Sequence, residues 1–327
     1  MKWLACSLCA IMTACSGQPW RDPGNGPLLA VSRTTGGITL LQLDPEEREI
    51  DTIRPCRGPF GLAFAPHHDW LYATCWEDSK IALVNLRSHG EAKIFPGGRL
   101  PAWVQLRDGA GEVWISNEAA GKVTIYRSGT SAVLGEIATG AGPSDIVFTD
   151  SGRRAWVSNE KSGTVSLLDA ETRRRIRDIT VGNVPQGMAL TSTADRLLVT
   201  NFGSNTVSVL DTGSAQERAR IPVCQGPIDV AVSRRDGSEL AYVACFGGGS
   251  VAVLDVDRQV EIQRIAVGDK PGGIAVHPDG GRVYVCVTGS NLLVVIATGK
   301  PGRIVRRMPM DGEPIQIAVV PGIGTVN

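Results

Sequence analysis

The feature that most constrains the fold of this chain is a proline that opens an apolar run about every 42 residues. Successive members of this series are separated by 42, 42, 42, 42, 44 and 43 residues. The series consists of Pro59, Pro101, Pro143, Pro185, Pro227, Pro271 and Pro314. Self-similarity at such a period is typical of repeat architectures, in which each repeat is one supersecondary unit stacked on its neighbours. The sequence therefore predicts a repeat array.

Each repeat contains four segments of strand length. In the best-preserved unit, from Gly142 to Gly182, these segments are SDIVFT, RAWVSN, TVSLLD and RIRDITV. β-branched residues or alternation mark each segment, and turn residues such as Asp150, Ser151 and Gly152 separate them. Four antiparallel strands in a repeat of this length indicate a β-propeller blade. The 39 glycines and the low aromatic content agree with a turn-rich all-β protein.

The repeats also predict how the ring closes. Six repeats are complete, whereas the one that begins at Pro314 contributes only PIQIAVV. Its missing strands match LLAVSR, GGITLLQL and EIDTI, at residues 28–33, 36–43 and 49–53. A C-terminal strand joined to these three would complete a seventh sheet and leave no incomplete sheet in the ring. We therefore expect an all-β, seven-bladed β-propeller with four antiparallel strands per blade.

The second and third strands of several repeats resemble those of a known repeat family. The segments AWVSN, LVTN and YVAC, followed by GTVSLLD or NTVSVLD, are similar to the YVTN family of β-propeller repeats. The resemblance covers nearly all of the chain after residue 27 and implies a propeller, but it is weak as a guide to activity. Near the end, VCVTGSNLLVVIATGKPG lacks the usual Asp-bearing turn, so the sequence does not decide whether the outer strands of that blade form.

Two repeats carry cysteine at two positions where the other repeats do not. These residues are Cys56 and Cys75 in one repeat, and Cys224 and Cys245 in the other. One position lies three residues before the proline and the other ends the second strand, so both lie at the same edge of a blade. We predict two equivalent disulfides; buried free thiols are the alternative, and no histidine follows with zinc-like spacing. Cys286 is predicted to be a small buried apolar residue.

The N-terminus has the layout of an export signal. Lys2 precedes an apolar run, and MTAC at residues 12–15 resembles the bacterial lipoprotein box, in which Cys15 becomes the lipidated first residue. An ordinary signal peptide cleaved after Ala14 is the alternative. We assign residues 1–14 to the signal, 15–27 to a tether and 28–327 to the propeller. The expected location is the cell envelope, with the lipid in the outer membrane and facing the periplasm in a Gram-negative cell.

Charge and motifs exclude several functions. The chain has 33 basic and 33 acidic residues, so it lacks the basic field that nonspecific nucleic-acid binding requires. No haem attachment, serine elbow, zinc-protease or phosphate-loop motif occurs, and neither a cofactor nor a metal is expected. His67, His68 and Asp69 occupy a turn position and are interpreted as a solvated turn. Asp169, Asp211 and Asp255 recur after the third strand and are interpreted as turn formers.

Positions that vary between repeats on the cysteine-bearing face are the better guide to function. They are the second residue after each proline and the residue after the second strand. The candidate ligand-binding residues are Trp76, Trp103, Asp145, Glu160, Phe202 and Asp229. Together they are expected to form a shallow mouth with aromatic and acidic walls, suited to a sugar, a peptide or a cationic ligand. The alternative is that the aromatic residues wedge between blades and the carboxylates are solvated.

Two functional classes follow from this mouth. The first is a nonenzymatic, membrane-tethered propeller that binds a protein or a small ligand through one face of the disc. The second is an enzyme similar to the propeller lactonases or lyases, with carboxylates at the channel mouth as acid and base. Geometry separates the two, because an enzyme needs an acid or base within reach of a defined cavity.

The lipoprotein hypothesis makes a direct prediction. Replacing Cys15 with serine removes the thiol that would carry the lipid, so Cys15→Ser is expected to release a soluble protein or leave an uncleaved precursor. Deleting residues 16–26 should shorten the tether without affecting the propeller. Membrane fractionation and intact mass check both. An unchanged mass and unchanged membrane association in Cys15→Ser would exclude this anchor.

Overall fold

The computed structural model describes residues 26–65, 69–86, 92–235 and 237–320. Its strands form seven sheets of four antiparallel strands, which confirms the predicted seven-bladed β-propeller. The proline-led strand is the first of its sheet and lines the central channel, and the fourth strand lies at the rim. We number the blade that contains both chain ends as blade 1 and the others in chain order.

In every blade the strands are ordered from the channel outward to the rim. Blade 1 consists of Pro314–Val320, Leu28–Arg33, Ile38–Gln42 and Arg48–Ile53. Blade 2 consists of Pro59–Ala65, Trp70–Cys75, Lys80–Asn85 and Lys93–Pro96. Blade 3 consists of Pro101–Arg107, Glu112–Asn117, Lys122–Arg127 and Val133–Ala138.

The remaining blades follow the same order. Blade 4 consists of Pro143–Thr149, Arg154–Asn159, Thr164–Asp169 and Arg174–Thr180. Blade 5 consists of Pro185–Leu190, Arg196–Asn201, Thr206–Asp211 and Gln216–Pro222. Blade 6 consists of Pro227–Arg235, Ser238–Cys245, Ser250–Asp255 and Val260–Ala266. Blade 7 consists of Pro271–Val276, Arg282–Val287, Leu292–Ala297 and Arg303–Pro309. Short 3₁₀ turns span Asp108–Ala110, Glu118–Ala120, Asp150–Gly152, Phe246–Gly248 and Thr288–Ser290.

Blade 1 closes the ring in the way that the repeat count predicts. The innermost strand, Pro314–Val320, pairs antiparallel with Leu28–Arg33, and Leu29 lies opposite Val319 in this register. The ladder makes the C-terminal strand part of a sheet that the N-terminal strands begin. The two outer strands of blade 7, which the sequence did not decide, are both present, at Leu292–Ala297 and Arg303–Pro309.

The hydrophobic core is divided among the interfaces between blades. Seven clusters of buried apolar residues occur in the described chain, and each joins two adjacent blades. Leu28 and Ala30 belong to the cluster with blade 2, whereas Leu29 and Val31 belong to the cluster with blade 7. Successive side chains of a strand point to opposite faces of its sheet, so one strand serves both interfaces. This explains why second strands read as continuous apolar runs.

The edge that holds the cysteines is closed by a different contact in different blades. Both predicted disulfides are present, with Cα–Cα distances of 6.0 Å for Cys56–Cys75 and 5.7 Å for Cys224–Cys245. In blade 5 the same two positions hold Gly182 and Asn201, and the glycine N–H donates to the asparagine Oδ1 at 3.0 Å. In blade 1 they hold Asp311 and the buried Arg33, an ion pair of 3.5 Å. Cys286 is free and buried, as predicted.

The recurring aspartates after the third strand form turns. In blade 4, the Asp169 carboxylate accepts hydrogen bonds from the N–H groups of Glu171 and Thr172, at 3.0 and 2.7 Å. The backbone N–H of Thr172 is the largest of the causes that lower the pKa of Asp169. Asp211 and Asp255 accept from Ser214 and Arg258 in the equivalent way. The turn interpretation of these residues is confirmed.

The two disulfides indicate an oxidising, extracytoplasmic environment. No helix within the described ranges has the length and apolar character needed to cross a membrane. Cys15, His67 and His68 lie outside the described residues, so the lipidation and turn interpretations made for them stay predictions.

The repeat supplies a matched test of what a disulfide contributes. The double variant Cys224→Ser/Cys245→Ser lacks this disulfide. It is expected to lose about 3 kcal/mol of unfolding free energy, because the bridge no longer closes a loop in the unfolded chain. Cys224→Gly/Cys245→Asn installs the pair of blade 5 instead. In blade 5 the Asn201 amide also donates to Thr206, and the equivalent residue of blade 6 is Ser250, whose buried hydroxyl has no hydrogen-bond partner within the described residues. This variant should recover about 1 kcal/mol.

Urea unfolding of the oxidised proteins under identical conditions measures both variants. Equal stabilities for the serine and the Gly/Asn variants would contradict the equivalence of the two contacts. Equal stabilities for wild type and both variants would contradict any contribution from the bridge.

Candidate functional site

One hydrogen bond recurs on the disulfide-bearing face of all seven blades. The residue that follows the second strand donates its backbone N–H to the carbonyl of the residue before the proline, at 2.8 to 3.1 Å. The seven donors are Thr34, Trp76, Glu118, Glu160, Phe202, Phe246 and Thr288. The bond fixes the loop in which each donor lies against the start of the innermost strand. Side chains that differ from blade to blade are thereby held in equivalent places around the channel mouth.

The accepting residues have an unusual backbone. In six blades φ lies between 50 and 69°, and three of these residues are not glycine: Leu100, Val184 and Lys270. A β-branched residue such as Val184 rarely adopts a left-handed conformation, which costs roughly 1–3 kcal/mol. Such a backbone persists only where the surrounding structure holds it. Here it brings the carbonyl to the donor that follows the second strand.

The mouth contains two adjoining cavities. The first, which we call the acidic compartment, has a volume of about 340 Å³. Its characteristic lining residues are Phe60, Trp76, Glu77, Glu118, Glu160 and Gln186. Trp76 remains 42% exposed and forms an apolar wall that solvent and a ligand can both reach. An aromatic face beside carboxylates suits a ligand with an apolar side and polar groups.

Glu118 and Glu160 are the two carboxyl groups of this compartment that are best suited to acid–base chemistry. Glu118 forms an ion pair of 3.0 Å with Lys161. Burial, and then the charge of Glu118, raise the pKa of Glu160 above the ordinary glutamate value, although hydrogen bonds from Ser144 and Gln186 oppose the shift. Glu160 therefore keeps its proton to a higher pH than an ordinary glutamate. Two neighbouring carboxyl groups in different environments can serve as an acid and a base.

The second cavity, the apolar compartment, has a volume of about 270 Å³. Its characteristic lining residues are Phe60, Trp103, Ile228, Phe246, Gly272 and Ile315. The two compartments share Thr34, Phe60, Gln186 and Ile315, so a single ligand can extend from one into the other. Phe60 and Trp103 meet edge to face, with ring centroids 5.7 Å apart, and form part of this boundary.

The central channel below the mouth is about 610 Å³ and is lined by the innermost strands. Asp145, Asp229 and Gln316 lie on its wall but are buried, with 5%, 8% and 6% exposure. Asp145 accepts from the N–H groups of Ile146 and of Met188 in the next blade, at 2.7 and 2.8 Å. Each of its carboxylate oxygens is therefore engaged by a backbone donor.

Asp229 makes the corresponding bridge from blade 6. It accepts from Val230 N–H at 2.8 Å, from Ile274 N–H of blade 7 at 3.1 Å, and from the Gln316 amide of blade 1 at 3.4 Å. Burial raises the pKa of Asp229 to about 6, against the hydrogen bonds that lower it. Burial, and then the charge of Asp229, raise the pKa of Asp145 well above its ordinary value. These carboxylates join blades to one another.

The second residue after each proline forms a ring of seven positions at this level. In ring order the residues are Gln316, Gly61, Trp103, Asp145, Gly187, Asp229 and Gly273. A Cβ on Gly61, Gly187 or Gly273 would run into the residue at the same position of the following blade. At each of these glycines the backbone of the following blade approaches too closely for a side chain, and Asp145 lies outside the three pairs that begin with a glycine.

The structure distributes the six predicted ligand-binding residues over three places. Trp76 and Glu160 line the acidic compartment. Trp103 and Asp229 line both the apolar compartment and the channel, and Asp145 lines the channel. Phe202 packs beside Phe246, with ring centroids 6.2 Å apart, and against Gly226. Trp76 and Glu160 therefore come together, whereas Phe202 and Asp145 lie away from them.

The residue directly after the proline was missed as a mouth position. This position contributes to one or both compartments in every blade, through Phe60, Ala102, Ser144, Gln186, Ile228, Gly272 and Ile315. Its side chain also differs from blade to blade, so the comparison of repeats could have found it. Within the described parts of the chain, no cluster of three or more His, Cys, Asp or Glu residues could hold a metal ion.

These features define a class: an extracytoplasmic seven-bladed propeller with an acidic and an apolar cavity at one end of its channel. The chain belongs to the family described as Lactonase, 7-bladed beta-propeller, whose model matches residues 113–311. No curated protein matches the sequence.

Solved structures with the same fold are distant in sequence. A candidate 6-phosphogluconolactonase from Bacteroides uniformis is 13% identical, with a TM-score of 0.78 over 90% of this chain and 100% of that chain. Virginiamycin B lyase from Staphylococcus aureus is 16% identical, with a TM-score of 0.67 over 80% of this chain and 88% of that chain. Hydrazine synthase from Kuenenia stuttgartiensis is 23% identical, with a TM-score of 0.58 over 64% of this chain and 66% of that chain, just under two thirds of its length. These likenesses establish the fold.

The buried Asp229 predicts a pH dependence of stability. Its pKa is raised to about 6 in the folded protein, from about 3.9 when unfolded, so the folded state binds the proton more tightly. The stabilisation is complete below the unfolded pKa and is lost as the pH rises through the folded pKa. Relative to Asp229→Asn, wild type is expected to lose roughly 2 kcal/mol between pH 4 and pH 7.

Urea unfolding of both proteins at several pH values gives the difference curve. A constant cost of the asparagine, for example its amide facing Ile274 N–H, shifts this curve without changing its slope. A curve that is flat, or that rises with pH, would contradict the raised pKa.

Proposed function

We propose that this protein is a lactone hydrolase whose acidic compartment holds the ring ester, with Glu160 as the acid and Glu118 as the base. The observation that carries the proposal is the pair of glutamates on the wall of one cavity, where burial and the charge of Glu118 raise the pKa of Glu160. Membership of the lactonase propeller family supports the same reaction class. So does the likeness to candidate 6-phosphogluconolactonases from two Bacteroides species.

The proposed reaction adds one water across the ring ester. The Glu118 carboxylate takes a proton from the water while the oxygen of the water bonds to the carbonyl carbon. Glu160, in its acid form, gives its proton to the ring oxygen as the carbon–oxygen bond of the ring breaks. The product is a hydroxy acid, and proton exchange with solvent restores both glutamates. Ser144 and Gln186, which hydrogen-bond to Glu160, hold the acid in place.

A nonenzymatic binding propeller is the second candidate. The observation that favours it is the state of the channel carboxylates, because Asp145 and Asp229 are occupied by backbone donors and are not free to act as acid or base. In that case the mouth would bind a ligand without turning it over.

In either case we propose an exported, lipid-anchored protein of the cell envelope. The disulfides support export, and the lipobox around Cys15 supports the anchor. The similarity to YVTN repeats likewise remains an interpretation of the repeat sequence.

Substitution of the two glutamates tests the proposed hydrolysis. Glu160→Gln and Glu118→Gln should each lower kcat by at least about 100-fold, because each removes one proton-transfer group. Glu160 must be protonated, so kcat/KM should fall as the pH rises through its raised pKa, and Glu160→Gln should abolish this alkaline limb. Titration of the acid released from a panel of lactones, corrected for spontaneous hydrolysis, measures these rates.

Glu217→Gln is the matched control. Glu217 lies on the outermost strand of blade 5 and pairs with Arg220 at 2.8 Å, away from the mouth. Its rates should equal those of wild type. Absence of turnover with every lactone, together with retained lactone binding, would replace hydrolysis by the binding-only function. Full activity in Glu118→Gln would overturn its role as the base.

A further inference from the structure

The charges around the acidic compartment select against anionic ligands. Three carboxyl groups line it, from Glu77, Glu118 and Glu160, of which Glu160 carries a proton in the proposed reaction. The residues lining the two mouth compartments, all within the described ranges, include no lysine, arginine or histidine. Two cations beside the acidic compartment are engaged in ion pairs: Lys161 with Glu118 at 3.0 Å, and Arg57 with Asp78 at 2.6 Å. A phosphate in this cavity would face the carboxylates of Glu77 and Glu118, with no basic residue in the lining to neutralise it.

The apolar compartment adds a second preference. Ile228, Phe246 and Ile315 line it, and the backbone of Gly272 and Gly273 forms a wall without side chains. It opens to the acidic compartment across Phe60 and Gln186, which belong to both linings. The three glutamates line only the acidic compartment, and Asp229 is the one acidic residue in the lining of the apolar compartment. The apolar compartment therefore offers mainly aliphatic and aromatic contact. A ring held near Glu118 and Glu160 could therefore extend an apolar substituent past Phe60.

We infer that the substrate is a lactone that has no anionic group and that carries an apolar substituent, with the ring in the acidic compartment and the substituent in the apolar compartment. This substrate class rests on the proposed hydrolysis. It departs from a phosphorylated sugar lactone in both charge and polarity.

Four lactones separate the two features of the substrate. δ-Valerolactone and δ-decalactone share one ring and differ in an alkyl arm, whereas gluconolactone and phosphogluconolactone differ in a phosphate. For the full-length protein, kcat/KM is expected to be at least about 10-fold higher for δ-decalactone than for δ-valerolactone. It is expected to be at least about 10-fold lower for phosphogluconolactone than for gluconolactone. Equal rates within either pair, or a preference for the phosphorylated lactone, would overturn the inference.

Variants test which residues contact the alkyl substituent and which residue repels the phosphate. Phe246→Ala and Ile228→Ala should each reduce the preference for δ-decalactone over δ-valerolactone several-fold. Ile262→Ala, an exposed position on the outermost strand of the same blade, should leave this ratio unchanged. Glu77→Lys should raise kcat/KM for phosphogluconolactone at least about 10-fold relative to gluconolactone. Unchanged ratios in Phe246→Ala, Ile228→Ala and Glu77→Lys would place the substrate elsewhere.

A binding measurement distinguishes failure of the substrate class from failure of the proposed hydrolysis. The lactam that corresponds to δ-decalactone has an amide in place of the ring ester and resists hydrolysis, so calorimetry reports its binding alone. Binding that is weakened at least about 10-fold by Phe246→Ala, with no lactone turned over, would retain the ligand class and reject hydrolysis. Turnover of phosphogluconolactone with no binding of the lactam would retain hydrolysis and reject the ligand class.

Discussion

The pairing of Pro314–Val320 with Leu28–Arg33 is the interaction on which the rest of the structure depends. Every blade buries apolar residues against both neighbours, so the full set of seven clusters requires a closed ring. Without this ladder, blade 1 would lack its innermost strand and the two clusters that it shares with blades 2 and 7 would be open. The buried Arg33, paired with Asp311, reinforces the same junction between the two ends of the chain.

The mouth shows how a repeated scaffold produces a unique site. One backbone hydrogen bond recurs in every blade and fixes where the variable side chains lie. Because the scaffold is the same all round, chemistry is set by which residues occupy equivalent positions. Trp76, Glu118 and Glu160 follow the second strands of three consecutive blades and make one sector acidic. Phe246 and Thr288, at the equivalent positions of blades 6 and 7, line the apolar sector.

Much of the fold could be predicted because its signals are local and repeated. Proline spacing gave the blade count, and the covariation of cysteines between repeats gave both disulfides. The site was harder to predict, because the repeat indicates which positions face the mouth but not how deeply each side chain is buried. Asp145 and Asp229 looked equivalent to Trp103 in the sequence, yet both are bonded to backbone amides of the next blade. Phe60 and Gln186, one position earlier in their repeats, line both compartments.

The ring formed by the second residue after each proline is subject to a parity constraint. Three glycines each accommodate a close approach of the following blade, as Gly187 does at Asp229. Such two-member units can tile a ring with an even number of blades, but a ring of seven always leaves one member over. In this ring the remainder is Asp145, which belongs to none of the three glycine-led pairs and accepts a hydrogen bond from Met188 N–H of blade 5. A buried channel carboxylate with a raised pKa therefore occupies the place that odd symmetry leaves unmatched.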